Sequence, residues 1–125
     1  MKRNLPLALL VLLTACGGSS NETPDISQRI TTVQLPASLK VYGFTEEYEK
    51  YKGQYQLSFY LKNNTGKKID YAQIAGELWV NGQIEGKPSA GPGKVLVPGD
   101  SGIITLNWIL PHKVPERIVL KNESF

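Results

Sequence analysis

Residues 54–62 alternate without a break: Tyr55, Leu57, Phe59 and Leu61 stand on one parity, and Gln54, Gln56, Ser58, Tyr60 and Lys62 on the other. A side-chain period of two belongs to an extended chain with one buried face and one wet face, a half-buried antiparallel strand. Such a strand is not stable alone, so the chain must supply both a sheet and a second apolar layer. Residues 102–110 alternate Ile104, Leu106, Trp108 and Leu110 against Ile103, Thr105, Asn107 and Ile109. Both of these parities carry aliphatics, which predicts a central strand. Residues 30–33, 38–44 and 117–122 read as three further strands, the last with Ile118 and Leu120 facing one way.

The segments between them carry turn chemistry. Asn63-Asn64-Thr65-Gly66 closes the first strand, and Pro98-Gly99-Asp100 follows Val95-Leu96-Val97. Asn81-Gly82 is the strongest short hairpin signal in the chain. A two-residue turn there sets Val80 opposite Gln83 and pairs Trp79 with Ile84 on one face. Residues 69–80 begin with Ile69 and Tyr71 on one parity and continue with Ile74, Leu78 and Val80 on the other. That switch predicts a bulge near Ala72-Gln73, or a strand buried on both faces. Residues 87–93 form a loop on composition alone. Residues 45–52 hold Glu46 and Lys50 at helical i, i+4 spacing, yet Gly53 and the flanking strands favour a loop or hairpin tip. The expected architecture is all-β: a single antiparallel sandwich of about seven strands over residues 26–125.

Its short strands and turns, above all residues 97–108 and 61–69, resemble the small Ig-like or fibronectin-III-like domains of bacterial envelope proteins. The chain departs from antibody-type domains in having one cysteine, hence no disulfide within the chain. A fold resemblance of this kind carries no function with it.

That cysteine has a different context. Met1-Lys2-Arg3-Asn4 is a basic start, and residues 5–13 are apolar except for Pro6. The run is too short for a hydrocarbon core, which takes about 20 residues. Basic start, short apolar run and small residues before a break have the layout of a secretory signal over residues 1–15. The break, Leu13-Thr14-Ala15-Cys16, resembles the lipobox of bacterial lipoproteins. The resemblance implies cleavage before Cys16, diacylglycerol on its sulfur and, in many Gram-negative bacteria, an acyl chain on its amine. Two or more chains hold a protein stably on a bilayer, whereas one does not. Gly17 stands where the family's inner-membrane retention signal would often place Asp, so the expected location is the outer membrane of a Gram-negative envelope. Residues 16–25 contain the lipidated Cys and a stretch with no apolar residue after it, a flexible tether averaging roughly 15–18 Å end to end.

Cleavage also changes the charge. The full chain carries 14 Lys+Arg against 11 Asp+Glu, and Lys2 and Arg3 account for two of its three net charges. The remaining near-neutral domain gives no electrostatic case for a nucleic-acid partner. Catalytic constellations are equally scarce. The single His112 lies in Pro111-His112-Lys113 with no nucleophile elbow to serve. Glu46, Glu47 and Glu49 alternate with Lys50 and Lys52 in a polar segment. No calcium-loop or multi-histidine pattern occurs, so neither a metal nor another cofactor is expected.

The aromatics are the feature that points to binding. Tyr42, Tyr48, Tyr51, Tyr55, Tyr60 and Tyr71 crowd the first half of the domain. Tyrosines interleaved with Lys and Glu either cover a sandwich edge or form a recognition surface. The expected partner surface is Tyr48, Tyr51 and Tyr60 with Glu46, Lys50 and Lys52, on a non-enzymatic accessory module that binds an envelope or external protein. The alternative is an inhibitor of a wall-active hydrolase using residues 87–94 as a protruding loop. A hydrolase relying on His112 is the third reading.

Overall fold

The computed structural model describes residues 25–111 and 113–123. Cys16, the leader, most of the tether and His112 lie outside the described residues. A single helical turn, α1 (Ile26–Arg29), leads into β1 (Ile30–Val33), β2 (Leu39–Glu49), β3 (Gln54–Asn63), β4 (Ile74–Val80), β5 (Gln83–Gly86), β6 (Ser89–Ala90), β7 (Ser101–Ile109) and β8 (Arg117–Asn122). They form two sheets. In one, β1-β8-β4-β5 lie side by side with β6 also on β4; in the other, β3 runs between β2 and β7. The fold is the expected two-layer β-sandwich, antiparallel except for β1 beside β8.

The alternation that defines β3 is realised residue by residue. Tyr55, Leu57, Phe59 and Leu61 are buried, and they meet Ile74, Leu78, Ile118 and Leu120 of the other sheet with Ile104 and Leu106 from β7. Gly76 lets the layers approach closely, for a methyl group there would sit 2.9 Å from Leu106 Cδ1. The Asn81-Gly82 turn has positive φ at both residues and sets Val80 opposite Gln83 and Trp79 opposite Ile84, as the sequence requires. Val97-Pro98-Gly99-Asp100 is closed by a 2.9 Å bond from Asp100 N–H to the Val97 carbonyl, with Gly99 at φ +84°.

Three expectations are corrected and one is narrowed. The strand at 101–109 is an edge, not a centre, for it pairs only with β3, and no second layer covers its other apolar parity: Ile103 and Ile109 are more than half exposed, at 51% and 56%. Residues 69–80 are not one strand. Ile69 makes an isolated bridge to Leu96 and the ladder starts at Ile74, so the parity switch reflects a break in the strand. Residues 45–52 take the hairpin of the two readings, but with a shorter tip than expected, for β2 continues to Glu49 and turns only at 50–53. Residues 87–93 are not all loop, because Ser89 and Ala90 pair with Ala75 and Ile74, and Gly76 N–H donates to the Pro88 carbonyl at 2.8 Å.

Polar residues pin both ends of the sandwich. Arg29, buried beside the entry of the chain, donates from Nη2 to Glu46 Oε1 at 2.5 Å, and the Tyr55 hydroxyl donates to the same oxygen at 2.7 Å. At the far end, fully buried Asn63 donates to the Lys67 and Leu96 carbonyls at 2.7 and 2.9 Å. Its Oδ1 accepts from the Thr65 N–H and hydroxyl.

Candidate binding face

The outer face of the three-stranded sheet is built from the wet parity of β3 and its partners on either side. Register fixes the rows: Lys40, Lys62 and Ser101; Tyr42, Tyr60 and Ile103; Thr45, Ser58 and Thr105; Glu47, Gln56 and Asn107; Glu49, Gln54 and Ile109. Two lysines thus stand at one end of the face and two glutamates at the other, with neutral hydroxyl and amide groups between.

The second row is an exposed apolar band. Tyr42 and Tyr60 stack with ring centroids 5.4 Å apart and planes 23° apart, and the Tyr42 hydroxyl lies 2.9 Å from Ser101 Oγ. Both rings are about two-fifths exposed, and Ile103 continues the band on β7. A bulge creates the opening for this stack. Between Tyr42↔Tyr60 and Thr45↔Ser58, β2 fits Gly43 and Phe44 opposite Phe59 alone, with Gly43 at φ +68°. Glycine is the residue that reaches this conformation cheaply, and it leaves room for the Tyr60 ring.

Beside the band, Lys40 and Lys62 are direct cross-strand partners, and among the described residues neither has an acidic group within salt-bridge reach. Like charges placed directly opposite one another destabilise a sheet, so the fold gains nothing from this pair. At the other end of the face, Glu47, Glu49, Gln54, Gln56, Asn107 and Ile109 line a depression of about 230 Å³. The opposite outer face is self-contained. Glu77 binds Lys121 Nζ at 2.7 Å, which holds its carboxyl below the ordinary range, and Arg117 caps the Trp79 ring at 4.2 Å.

The residues expected to share a partner surface are dispersed. Tyr60 lies in the exposed band. Tyr48 turns inward at the entry end and donates its hydroxyl to the Leu110 carbonyl at 2.5 Å. The Glu46 carboxylate is held by Arg29 and Tyr55, and burial beside that carboxylate pushes the Tyr55 hydroxyl far above the usual tyrosine range. Lys50, Tyr51 and Lys52 are exposed at the 50–53 turn, beyond Gln54, which is itself six residues along β3 from Tyr60, or ~20 Å at ~3.3 Å per residue. Lys40, Tyr42, Lys62 and Ile103 were not singled out from the sequence as a surface. The signal was present in the wet parity of 54–62, which ends in Tyr60 and Lys62, and in Gly43, whose interruption of β2 brings Tyr42 level with Tyr60.

Among the described residues no group of three or more His, Cys, Asp or Glu is placed to hold a metal ion, and no helix is long and apolar enough to cross a membrane. Fold and face together define a small two-sheet β-sandwich with an aromatic band on one outer surface. Comparison with protein-family models, with curated proteins and with solved structures found no match to this chain.

Proposed function

We propose that the chain is a lipid-anchored envelope protein, held in the outer membrane of a Gram-negative bacterium through Cys16, that acts as a non-enzymatic binding module. The anchor rests on Leu13-Thr14-Ala15-Cys16 and the leader before it. The binding surface is the Tyr42–Tyr60–Ile103 band with Lys40 and Lys62 beside it. One observation carries this reading: an exposed aromatic–aliphatic row lies against two adjacent lysines that no acid in the described chain balances. Stability alone selects against that arrangement, whereas a partner presenting an apolar patch and an acidic group matches it. The Ig-like resemblance belongs to the same reading, for such domains serve as scaffolds for surface recognition.

Geometry supports an outward-looking face. The chain enters at Asp25 and α1, at the end where Arg29 meets Glu46 and where the 50–53 and 81–82 turns lie. The tyrosine band lies several residues up β2 and β3 from that end, so a protein tethered at Cys16 presents the band away from the bilayer. Exchanging Cys16 for Ser tests the anchor: the account expects the protein to move from the membrane pellet to the soluble fraction. An unchanged membrane fraction overturns the anchor without touching the face.

A further inference from the structure

We propose that two copies of this chain pair edge to edge along β7, joining their three-stranded sheets into one six-stranded sheet. The inference rests on the sheet edge alone and does not depend on the anchor or on the partner face.

β7 pairs only with β3, so the backbone groups along its other side face no strand among the described residues. Natural sheets block such edges with charges, proline, bulges or very short strands. The other edges here are blocked in those ways. β1 and β5 have four residues each, and β5 carries Glu85. β2 is bulged at Gly43 and carries Lys40, Glu46, Glu47 and Glu49. β7 has none of these devices. Its nine residues, Ser-Gly-Ile-Ile-Thr-Leu-Asn-Trp-Ile, include no charge and no proline, and they hold one unshifted register from Ser101 to Ile109.

The pattern along β7 is also complementary to itself. A two-fold axis at Leu106 sets Ile103 against Ile109 of the second copy and Thr105 against its Asn107, twice over. The outer row then pairs aliphatic with aliphatic at both ends and hydroxyl with amide in between, with no like charges opposed. Ile103 and Ile109, more than half exposed in one copy, cover each other in two. The register is restrictive. A slip of one residue sets the outer row of one copy against the buried parity of the other, and a slip of two opposes Ile103 to Asn107. The pairing segment has natural limits: Pro92 and Leu96 crowd Gly102 at one end, and Pro111 follows at the other. Trp108 stays clear of the new ladder because its indole N–H is already bound to the Glu85 carbonyl at 3.1 Å.

Seven paired residues make a smaller interface than the roughly 1,200 Å² of a standard stable complex, so the affinity expected is on the order of micromolar. The test uses the full chain expressed in cells, with Ile103→Cys and Ile109→Cys and a short bis-maleimide cross-linker; the unaltered chain, with Cys16 alone, sets the background. The doubly substituted chain is expected to give at least about fivefold more dimer than either single variant, because the cross-strand pair is brought together only in this register. Adding Asn107→Lys is expected to remove most of that dimer, with the melting temperature retained. Equal yields from the single and double variants, a yield indifferent to Asn107→Lys, or cross-links only to a protein of another mass would each overturn self-pairing. A double variant that failed to fold would be replaced by Thr105→Cys with Asn107→Cys, which probes the same register.

Discussion

The ring of Tyr60 covers Gly43 at the bulge of β2: a methyl group on that glycine would sit 2.9 Å from Tyr60 Cδ2. The contact joins the fold to the candidate face, because the bulge that admits the ring also aligns Tyr42 for stacking. An aromatic ring laid across a strand glycine shields backbone that would otherwise be open to water. Two effects oppose alanine at position 43, the left-handed backbone and the displaced ring. Gly43→Ala is therefore expected to cost about 1–3 kcal/mol in denaturant unfolding. Tyr60→Phe, which keeps the ring, is expected to be nearly neutral, and Tyr60→Ala to cost about 1 kcal/mol.

Trp108 makes the corresponding contact on the other side of the sandwich. Its indole lies directly over Gly86 and donates to the Glu85 carbonyl, linking β7 to β5 across the gap between the sheets. No side chain fits between Gly86 and that ring. Gly86→Ala is expected to expel the indole, lowering stability by about 2 kcal/mol and shifting tryptophan emission to the red.

Asn63, itself fully buried, holds the far end together through its side-chain amide. Four hydrogen bonds join its side chain to Thr65, Lys67 and Leu96. Asn63→Ala removes four hydrogen bonds at a fully buried position and is expected to cost about 2–4 kcal/mol in equilibrium unfolding, whereas Asn64→Ala, exposed next door, is expected to be close to neutral.

How far the chain reveals its own structure depends on what kind of information each feature needs. Period and turn chemistry are local, so β3, β8, the Asn81-Gly82 hairpin and the Trp79–Ile84 pairing were legible. Sheet position is not local. Aliphatics on both parities of residues 101–109 suit a central strand, and only the three-dimensional order shows that Ile103 and Ile109 meet no second layer. The same limit applies to Glu46. Its alternation with lysines marks a wet segment, but Arg29, 17 residues earlier, turns its carboxylate toward a buried partner. The candidate face was legible only in part. Tyr60 could be placed on the wet side of its strand, while its neighbours Tyr42 and Ile103 required the register of three strands.

The Arg29–Glu46–Tyr55 cluster predicts a response to alkali. Burial, with the Glu46 carboxylate beside it, raises the Tyr55 hydroxyl well above the ordinary value of 10.0. The folded protein keeps this proton where the unfolded chain releases it. The stability involved is therefore fully present below about pH 10 and falls above it by about 1.4 kcal/mol per pH unit. Tyr55→Phe is expected to lose about 1 kcal/mol at neutral pH and to show a shallower decline above pH 10. Glu46→Ala, which strands a buried guanidinium, is expected to cost about 3–5 kcal/mol at neutral pH.

The most direct test of a partner-binding face is photo-cross-linking in the native cells from single positions on the two outer surfaces. A photoreactive residue at position 42 or 60 is expected to capture one discrete partner of a mass other than the chain's own. The same residue at 75 or 121, on the outer face of the other sheet, is expected to capture it at background level. Lys40→Glu with Lys62→Glu, which reverses the charge beside the band, is expected to weaken capture about tenfold or more without unfolding the domain. Equal capture from both surfaces, or capture indifferent to the reversed charges, would contradict the account.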